Sequence, residues 1–314
     1  MDLSVVIPLF NEEENADLLY RELSTVLRGM NISYEIVIVD DGSRDKGLEI
    51  LRNVQAVDSH LVLVSFRKNF GQTAAMAAGF DHAEGDVIVT MDADLQNDPA
   101  DIPKVLEKMK EGYDVVAGWR HDRQDPYLSR ILPSRIANKI ISTATGVRLH
   151  DYGCTLKAFR KEVVKEISLY GEMHRFIPAI ASGMGISIAE VRVNHRPRRF
   201  GSSKYGISRT IRVILDLLTV KFLLNYATRP IHVFGSIGML SGGVGFILTC
   251  IMVLQRQFWG VPMGDRPLFL LSILLMFIGV QFVTGGLLAE LLARTYHEAQ
   301  GKPIYYIKEI FKKS

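Results

Sequence analysis

The chain has 314 residues, enough for one full-sized domain of about 100 to 200 residues and a smaller module beside it. It is 48% apolar with a positive mean hydropathy, high for a soluble enzyme, and its net charge of +3 conceals an uneven distribution of basic residues. Cys154 and Cys250 are far apart and lie in different sequence surroundings, which argues against a disulfide or a cysteine-held metal; no nucleic-acid partner is expected.

Met1 leads almost directly into the apolar run Leu3 to Ile7 with no basic segment before it, so no signal peptide is expected. From there short β-rich runs alternate with helical patterns. Leu3–Pro8, Tyr34–Asp40, Leu61–Phe66, Asp86–Met91 and Asp114–Gly118 read as strands. Asn11 followed by Glu14 has the spacing of a capping box opening a helix toward Arg28, and Asp98-Pro99 places a cap and a first-turn proline before another. Such alternation predicts an α/β domain with a mostly parallel sheet, whose ligands bind beyond the carboxyl ends of the strands. Those ends carry Pro8-Leu9-Phe10-Asn11-Glu12, Asp40-Asp41-Gly42-Ser43 and Asp92-Ala93-Asp94-Leu95-Gln96, so carboxylates gather on one edge.

Asp92-Ala93-Asp94 is the sharpest of these signals. Two carboxylates flanking one small residue at a strand terminus can hold a hard divalent cation through oxygen ligands, and such an ion can neutralise a diphosphate leaving group. A lone DxD triplet is more often a solvated turn, but Asp41 and Gln96 beside it favour the metal, because crowded ionised carboxylates need a counter-charge. Lys68-Asn69-Phe70-Gly71-Gln72 reads as a loop and helix start near this edge, or as a plain connector. His174 and His195 have no metal-ligand spacing.

The C-terminal third changes character. Ile207 to Thr228 mixes apolar residues with Arg209, Arg212, Asp216 and Lys221 and suits helices in a membrane interface. Ile231 to Leu254 and Leu268 to Ala289 are runs of 24 and 22 residues without Asp, Glu, Lys or Arg, each long enough to span a bilayer core of about 30 Å. Gln255 to Pro267 joins them into a tight hairpin, and Gly235, Gly238, Gly242, Gly243 and Gly245 permit either close helix packing or simple flexibility. Residues 196–229 hold eight basic side chains against Asp216 alone, and the tail from Arg294 adds five more against Glu298 and Glu309. The hairpin loop has only Arg256, Arg266 and Asp265. That bias puts the N-terminal region and both termini in the cytoplasm, in a multi-pass inner-membrane protein.

The ordered set VVIPLFNEEEN, VDDGS, RKNFGQTAAMAAGF, DADLQNDP and DYGCTLKAFR resembles the family-2 glycosyltransferases, and the resemblance covers the whole chain. Among them, two C-terminal spans after FGSSKYG resemble the polyprenyl-phosphate sugar transferases. The resemblance implies a GT-A, Rossmann-like catalytic domain over residues 1–206, interfacial amphipathic helices over 207–229, transmembrane helices near 231–254 and 268–290, and a basic tail over 294–314. It implies that Pro8, Phe10, Glu12, Val39 and Asp41 line the nucleobase and ribose pocket, with Asp92 and Arg120 also on the nucleotide-sugar. Asp92 and Asp94 would bind Mg²⁺ or Mn²⁺, and Gln96 would stand beside the sugar diphosphate. Arg135, Arg199 and Lys204 would meet the polyprenyl phosphate acceptor or the diphosphate, the alternative for each being an ordinary membrane-surface cation. Asp151, heading DYGC, would be a base, a sugar ligand or a structural turn. A homo-oligomer, a tetramer, is implied as well.

Two other functions compete. A processive polysaccharide synthase should carry a Gln-x-x-Arg-Trp motif and more spans, and Gln255-Arg256-Gln257-Phe258-Trp259 does not match it. A non-enzymatic membrane scaffold leaves the complete DxD pair and basic loop unexplained. The donor stays open between UDP-linked and GDP-linked sugars. UDP is favoured, and the motifs around DYGC and FIP look closer to the bacterial undecaprenyl-phosphate group than to GDP-mannose-dependent dolichol-phosphate mannose synthases.

Overall fold

A computed structural model gives the fold, and it describes residues 1–121, 132–167, 174, 176–182, 185–197, 231–263, 266–299 and 307–311. The chain divides into two compact units, Met1–Val220 with Pro303–Ser314, and Lys221–Lys302.

In the first unit, apolar β-branched runs form strands buried on both faces, as a sheet covered by helices requires. In chain order these are β1 (Leu3–Leu9), α1 (Glu13–Gly29), β2 (Tyr34–Asp40), α2 (Gly47–Gln55), β3 (Leu61–Phe66), α3 (Gln72–His82), β4 (Val87–Thr90), α4 (Ile102–Lys110) and β5 (Val115–Arg120). Then come α5 (Leu132–Thr145), β6 (Lys157–Arg160), α6 (Lys161–Glu166), α7 (Ile177–Ser182), β7 (Ile188–Val193) and, after the second unit, β8 (Ile307–Phe311). The sheet has the order β7-β5-β6-β4-β1-β2-β3-β8. β1 runs parallel to β2 and β4, and β2 to β3, so their carboxyl ends share one edge. The five expected strands are present with ends within two residues. Leu19, Leu23 and Leu27, spaced to line one face of α1, are buried with Leu3, Val5 and Ile7 of β1 in the main core.

The helix starts show one agreement and one correction. Asp98 caps as expected, accepting from the Ala100 N–H at 3.0 Å with Pro99 at the first turn. The Asn11/Glu14 capping box does not form: α1 begins at Glu13, Glu12 occupies the cap without a side-chain cap bond, and Asn11 sits at φ +50°. Its Oδ1 instead accepts the Arg44 N–H at 2.9 Å, a tertiary bond joining the loops after β1 and β2 that prevails over the local cap.

Residues 307–311 form a strand where a tail was expected. β8 pairs antiparallel with β3, Leu63 opposite Phe311 and Val64 opposite Ile310, covering backbone groups that would otherwise leave β3 an open edge. Arg52 pairs with Glu309, and its guanidinium lies 4.0 Å from the centre of the Phe311 ring.

The second unit is a helical hairpin, α8 (Ile231–Trp259) and α9 (Pro267–Ala299). Both contain stretches long and apolar enough to cross a membrane, Val233–Trp259 and Pro267–Ala289, and Met239, Phe246, Leu270 and Phe277 are among their exposed side chains. The helices cross closely: a Cβ on Gly238 would lie 2.6 Å from the Gly279 carbonyl oxygen, and one on Gly245 2.5 Å from that of Ser272. Thr249 Oγ1 donates to Ser272 Oγ at 3.0 Å. The expected interfacial segment 207–229 lies outside the described residues.

Candidate functional site

The carboxyl ends of β1 and β2 are stitched to each other and to the loop after β3. The Asn11 N–H donates to Ser43 Oγ at 2.9 Å, and the Lys46 N–H to Glu13 Oε2 at 3.0 Å. Asp41 is buried and accepts the N–H groups of Phe70 at 2.7 Å and Gly71 at 3.0 Å. Burial pushes its carboxyl up to about 6 even though those two N–H groups favour the ionised form. Gly42, at φ +71°, is required here, because a Cβ would lie 2.5 Å from the Lys68 carbonyl carbon. Pro8, Phe10, Glu12, Val39 and Asp41 therefore occupy adjoining strand ends, Val39 and Asp41 buried and the other three half-buried. The stretch Lys68 to Gln72 is a loop and helix start, and Asp41 ties its backbone down.

After β4 the chain turns at Leu95, which takes the left-handed φ of +61° that bulky residues rarely adopt. Asn97 holds this turn, its Oδ1 accepting the Asp92 N–H at 3.1 Å and the Thr155 hydroxyl at 2.9 Å. Ala93, Leu95 and Asn97 are buried, whereas Asp92, Asp94 and Gln96 are half-buried. The three half-buried polar side chains thus alternate with the three buried ones that anchor the loop. Gln72 Nε2 donates to Asp92 Oδ1 at 2.7 Å, and the Gln96 N–H to Asp94 Oδ1 at 3.1 Å. Among the described residues no group of three His, Cys, Asp or Glu could close around an ion. Two carboxylates are the donor set expected where substrate phosphates complete the coordination of a hard cation.

Arg120, at the end of β5, meets the buried Asp151 in a two-pronged pair, Nε to Oδ2 at 2.7 Å and Nη2 to Oδ1 at 3.0 Å. The Arg120 and Gly153 N–H groups also reach this carboxylate, at 3.3 and 3.1 Å. Burial opposes the charge on Arg120, but Asp151, with a smaller contribution from Asp92, more than offsets it and holds the guanidinium above its usual range. Asp92, Arg120 and Asp151 thus belong to one electrostatic cluster. Arg135 is exposed on α5; one turn further along, Asn138 Nδ2 donates to the His150 carbonyl at 2.7 Å and fixes α5 to the Asp151 loop. Arg199 and Lys204 lie outside the described residues.

Several supporting residues escaped the sequence analysis. Gln72 was legible only as a helix start, and Asn97 had a signal, a polar residue just past the DxD turn. His195, 5% exposed, bridges to Asn97 by backbone pairing and brings its Nε2 to 3.4 Å from Gln96 Nε2; pattern spacing could not find it because the two are 99 residues apart. Arg196 continues the join, its N–H donating to the Gln96 carbonyl at 3.0 Å and its guanidinium to Asp98 at 2.7 Å and Glu22 at 2.5 Å. The segment entering the basic loop is thereby fastened to the DxD loop.

Dodecaprenyl-phosphate galacturonate synthase of Rhizobium johnstonii is 43% identical over 315 residues, covering 99% of this chain and 93% of that protein. Undecaprenyl-phosphate 4-deoxy-4-formamido-L-arabinose transferase of Shewanella sediminis is 40% identical over 310 residues, 98% of this chain and 92% of that one. Among solved structures, glucosyl-3-phosphoglycerate synthase of Mycobacterium tuberculosis, in complex with Mn²⁺, uridine diphosphate and phosphoglyceric acid, aligns with a TM-score of 0.56 at 16% identity, covering 71% of this chain and 78% of that one. That likeness shows the GT-A fold. The model of Glycosyl transferase family 2 matches residues 4–168, and with relatives similar along nearly the full length, the chain belongs to glycosyl transferase family 2.

Proposed function

We propose that the protein transfers a sugar from a UDP-linked donor to polyprenyl phosphate at the cytoplasmic face of the inner membrane. The observation that carries this is the similarity over 99% of the chain, both apolar helices included, to a dodecaprenyl-phosphate sugar synthase. The acceptor phosphate, with a second pKa of about 6, is mostly dianionic near neutral pH and needs no strong base. Its oxygen forms a bond to the anomeric carbon as the bond from that carbon to the diphosphate breaks, and the enzyme's task is to orient two polyanions and stabilise the departing one.

Asp92 and Asp94 would hold Mg²⁺ or Mn²⁺, which supplies charge neutralisation for the diphosphate, with Gln96 beside the sugar diphosphate. Pro8, Phe10, Glu12, Val39 and Asp41 form the wall on which the nucleoside is placed. Asp151 acts as a positioning group: among the described residues its oxygens take four donors, two of them from a guanidinium, which leaves it poorly disposed to accept a proton. Arg135, Arg199 and Lys204 are proposed for the acceptor phosphate. Membrane topology draws support from β8, since residues before and after the hairpin complete one sheet and an even number of crossings returns the chain to the side it left.

The test is a panel of radiolabelled UDP- and GDP-sugars, galacturonate and 4-formamido-arabinose donors among them, given to purified protein with polyprenyl phosphate and divalent metal. Label extracted into organic solvent from a UDP-sugar alone is the expected result. Lipid-linked label from GDP-mannose would replace the UDP reading, and none from any donor would overturn the transferase.

A further inference from the structure

Lys157 opens β6, opposite Thr90 of β4 and Ala117 of β5, in the middle of the sheet. Its side chain is 3% exposed, and Nζ donates to the Tyr152 carbonyl at 3.2 Å and to the Cys154 carbonyl. An ammonium buried against backbone carbonyls is costly, and burial pulls it below the usual lysine range despite opposing contributions from Cys154, Asp151 and Asp92. Leucine or methionine would fill this strand position without that cost.

The two carbonyls belong to the turn that presents Asp151. This turn is seated tightly: a Cβ on Gly118 would lie 2.7 Å from the Leu156 carbonyl oxygen, and one on Gly153 3.1 Å from Arg120 Nη2. It is also continuous with the DxD loop. Thr90 Oγ1 donates to the Thr155 carbonyl at 2.7 Å, Thr155 Oγ1 to Asn97 Oδ1 at 2.9 Å, and Asn97 Oδ1 accepts the Asp92 N–H. Displacement of the turn therefore reaches Asp151 directly and Asp92 through Asn97.

We propose that Lys157 is a positioning residue for glycosyl transfer, its buried ammonium clamping the Tyr152 and Cys154 carbonyls so that the Asp151–Arg120 pair and the DxD loop keep their reactive arrangement. This rests on the transferase reading above. The clamp acts on geometry at the reacting centre rather than on nucleoside binding, so its loss falls on kcat.

The experiment compares full-length parent, Lys157→Met and Lys157→Gln in lipid nanodiscs, reading kcat, donor KM, thermal midpoint and hydrogen exchange of the Tyr152 to Leu156 amides. Lys157→Met is expected to lower kcat about 10- to 100-fold with donor KM within about threefold, and to speed exchange in that turn. Lys157→Gln keeps one donor and recovers part of both. Parent-like kcat and exchange in folded Lys157→Met would overturn the proposal, as would a loss of donor binding that parallels the loss of kcat and thermal midpoint. If the Met variant does not fold, the Gln variant decides by the same criteria. A parent without transfer activity would sink the transferase reading, and the exchange measurement would still decide the clamp.

Discussion

Replacing Asp151 with asparagine preserves the shape of the turn and removes the charge opposite Arg120. Among the described residues the carboxylate accepts four donors, Arg120 Nε at 2.7 Å, Arg120 Nη2 at 3.0 Å, the Gly153 N–H at 3.1 Å and the Arg120 N–H at 3.3 Å. One amide oxygen accommodates about two of these, and the guanidinium, whose side chain is 16% exposed, loses its counter-charge. Removing one partner of a buried pair costs about 3 to 5 kcal/mol; the remaining oxygen and residual exposure place Asp151→Asn near the lower end, about 3 kcal/mol. At about 2 to 4 °C per kcal/mol for a domain of this size, the thermal midpoint should fall by roughly 6 to 12 °C. Trp119, stacked on His150 with ring centres 4.2 Å apart, is a fluorescent reporter beside the pair. The double variant Arg120→Met/Asp151→Leu should regain much of the stability, because it leaves no unpaired charge, yet remain inactive. A midpoint within about 2 °C of the parent for Asp151→Asn would refute the buried-pair account, and if transfer were nonetheless lost, the carboxylate would have to act on the substrate itself.

Asp92→Asn and Asp94→Asn should each lower transfer by about 100-fold or more while leaving the thermal midpoint nearly unchanged, and EDTA should reproduce the loss; near-normal turnover in either variant or in chelator would exclude the metal. Asp41, held at about 6 when folded and about 3.9 when unfolded, binds its proton more tightly in the native state, so its stabilising contribution is present below about pH 4 and is lost as pH rises through 6, by at most about 3 kcal/mol. The difference in thermal midpoint between Asp41→Asn and the parent should therefore shift in the variant's favour from pH 4.5 to pH 7, whereas parallel curves would contradict the raised carboxyl. A reporter fused after Ser314 should be cytoplasmic and one inserted near Gly264 exported; the same side for both would disprove the hairpin crossing.

Local pattern sufficed wherever one kind of burial governed a whole segment. The apolar β-branched runs of β1, β2 and β3 must be buried on both faces, so composition alone located them within two residues, and the charge-free runs of α8 and α9 announced their length in the same way. The Asp92-Ala93-Asp94 turn was legible because a pair of carboxylates ends an apolar strand. Asp41 was legible as a carboxylate at a strand end, whereas Arg120 was legible only through the family motifs, since no spacing rule connects it to the other site residues.

Contacts between distant segments required the tertiary structure. Asn11 has the chemistry of a helix cap, yet its Oδ1 serves Arg44, 33 residues away. β8 is a short charged segment that becomes a strand only because the edge of β3 offers unpaired backbone groups. His195 reaches Gln96, and the buried Lys157 meets the turn behind Asp151, through the way the sheet is ordered. What the sequence by itself determined was the strand-helix framework, the membrane-length helices and the DxD carboxylates, because each follows from composition or spacing within one segment, and the family, because its motifs stand in order along the whole chain. Which partner each polar group finds was decided by the tertiary structure, because hydrogen bonds and buried charges are satisfied by neighbours in space, and the folded chain alone sets those.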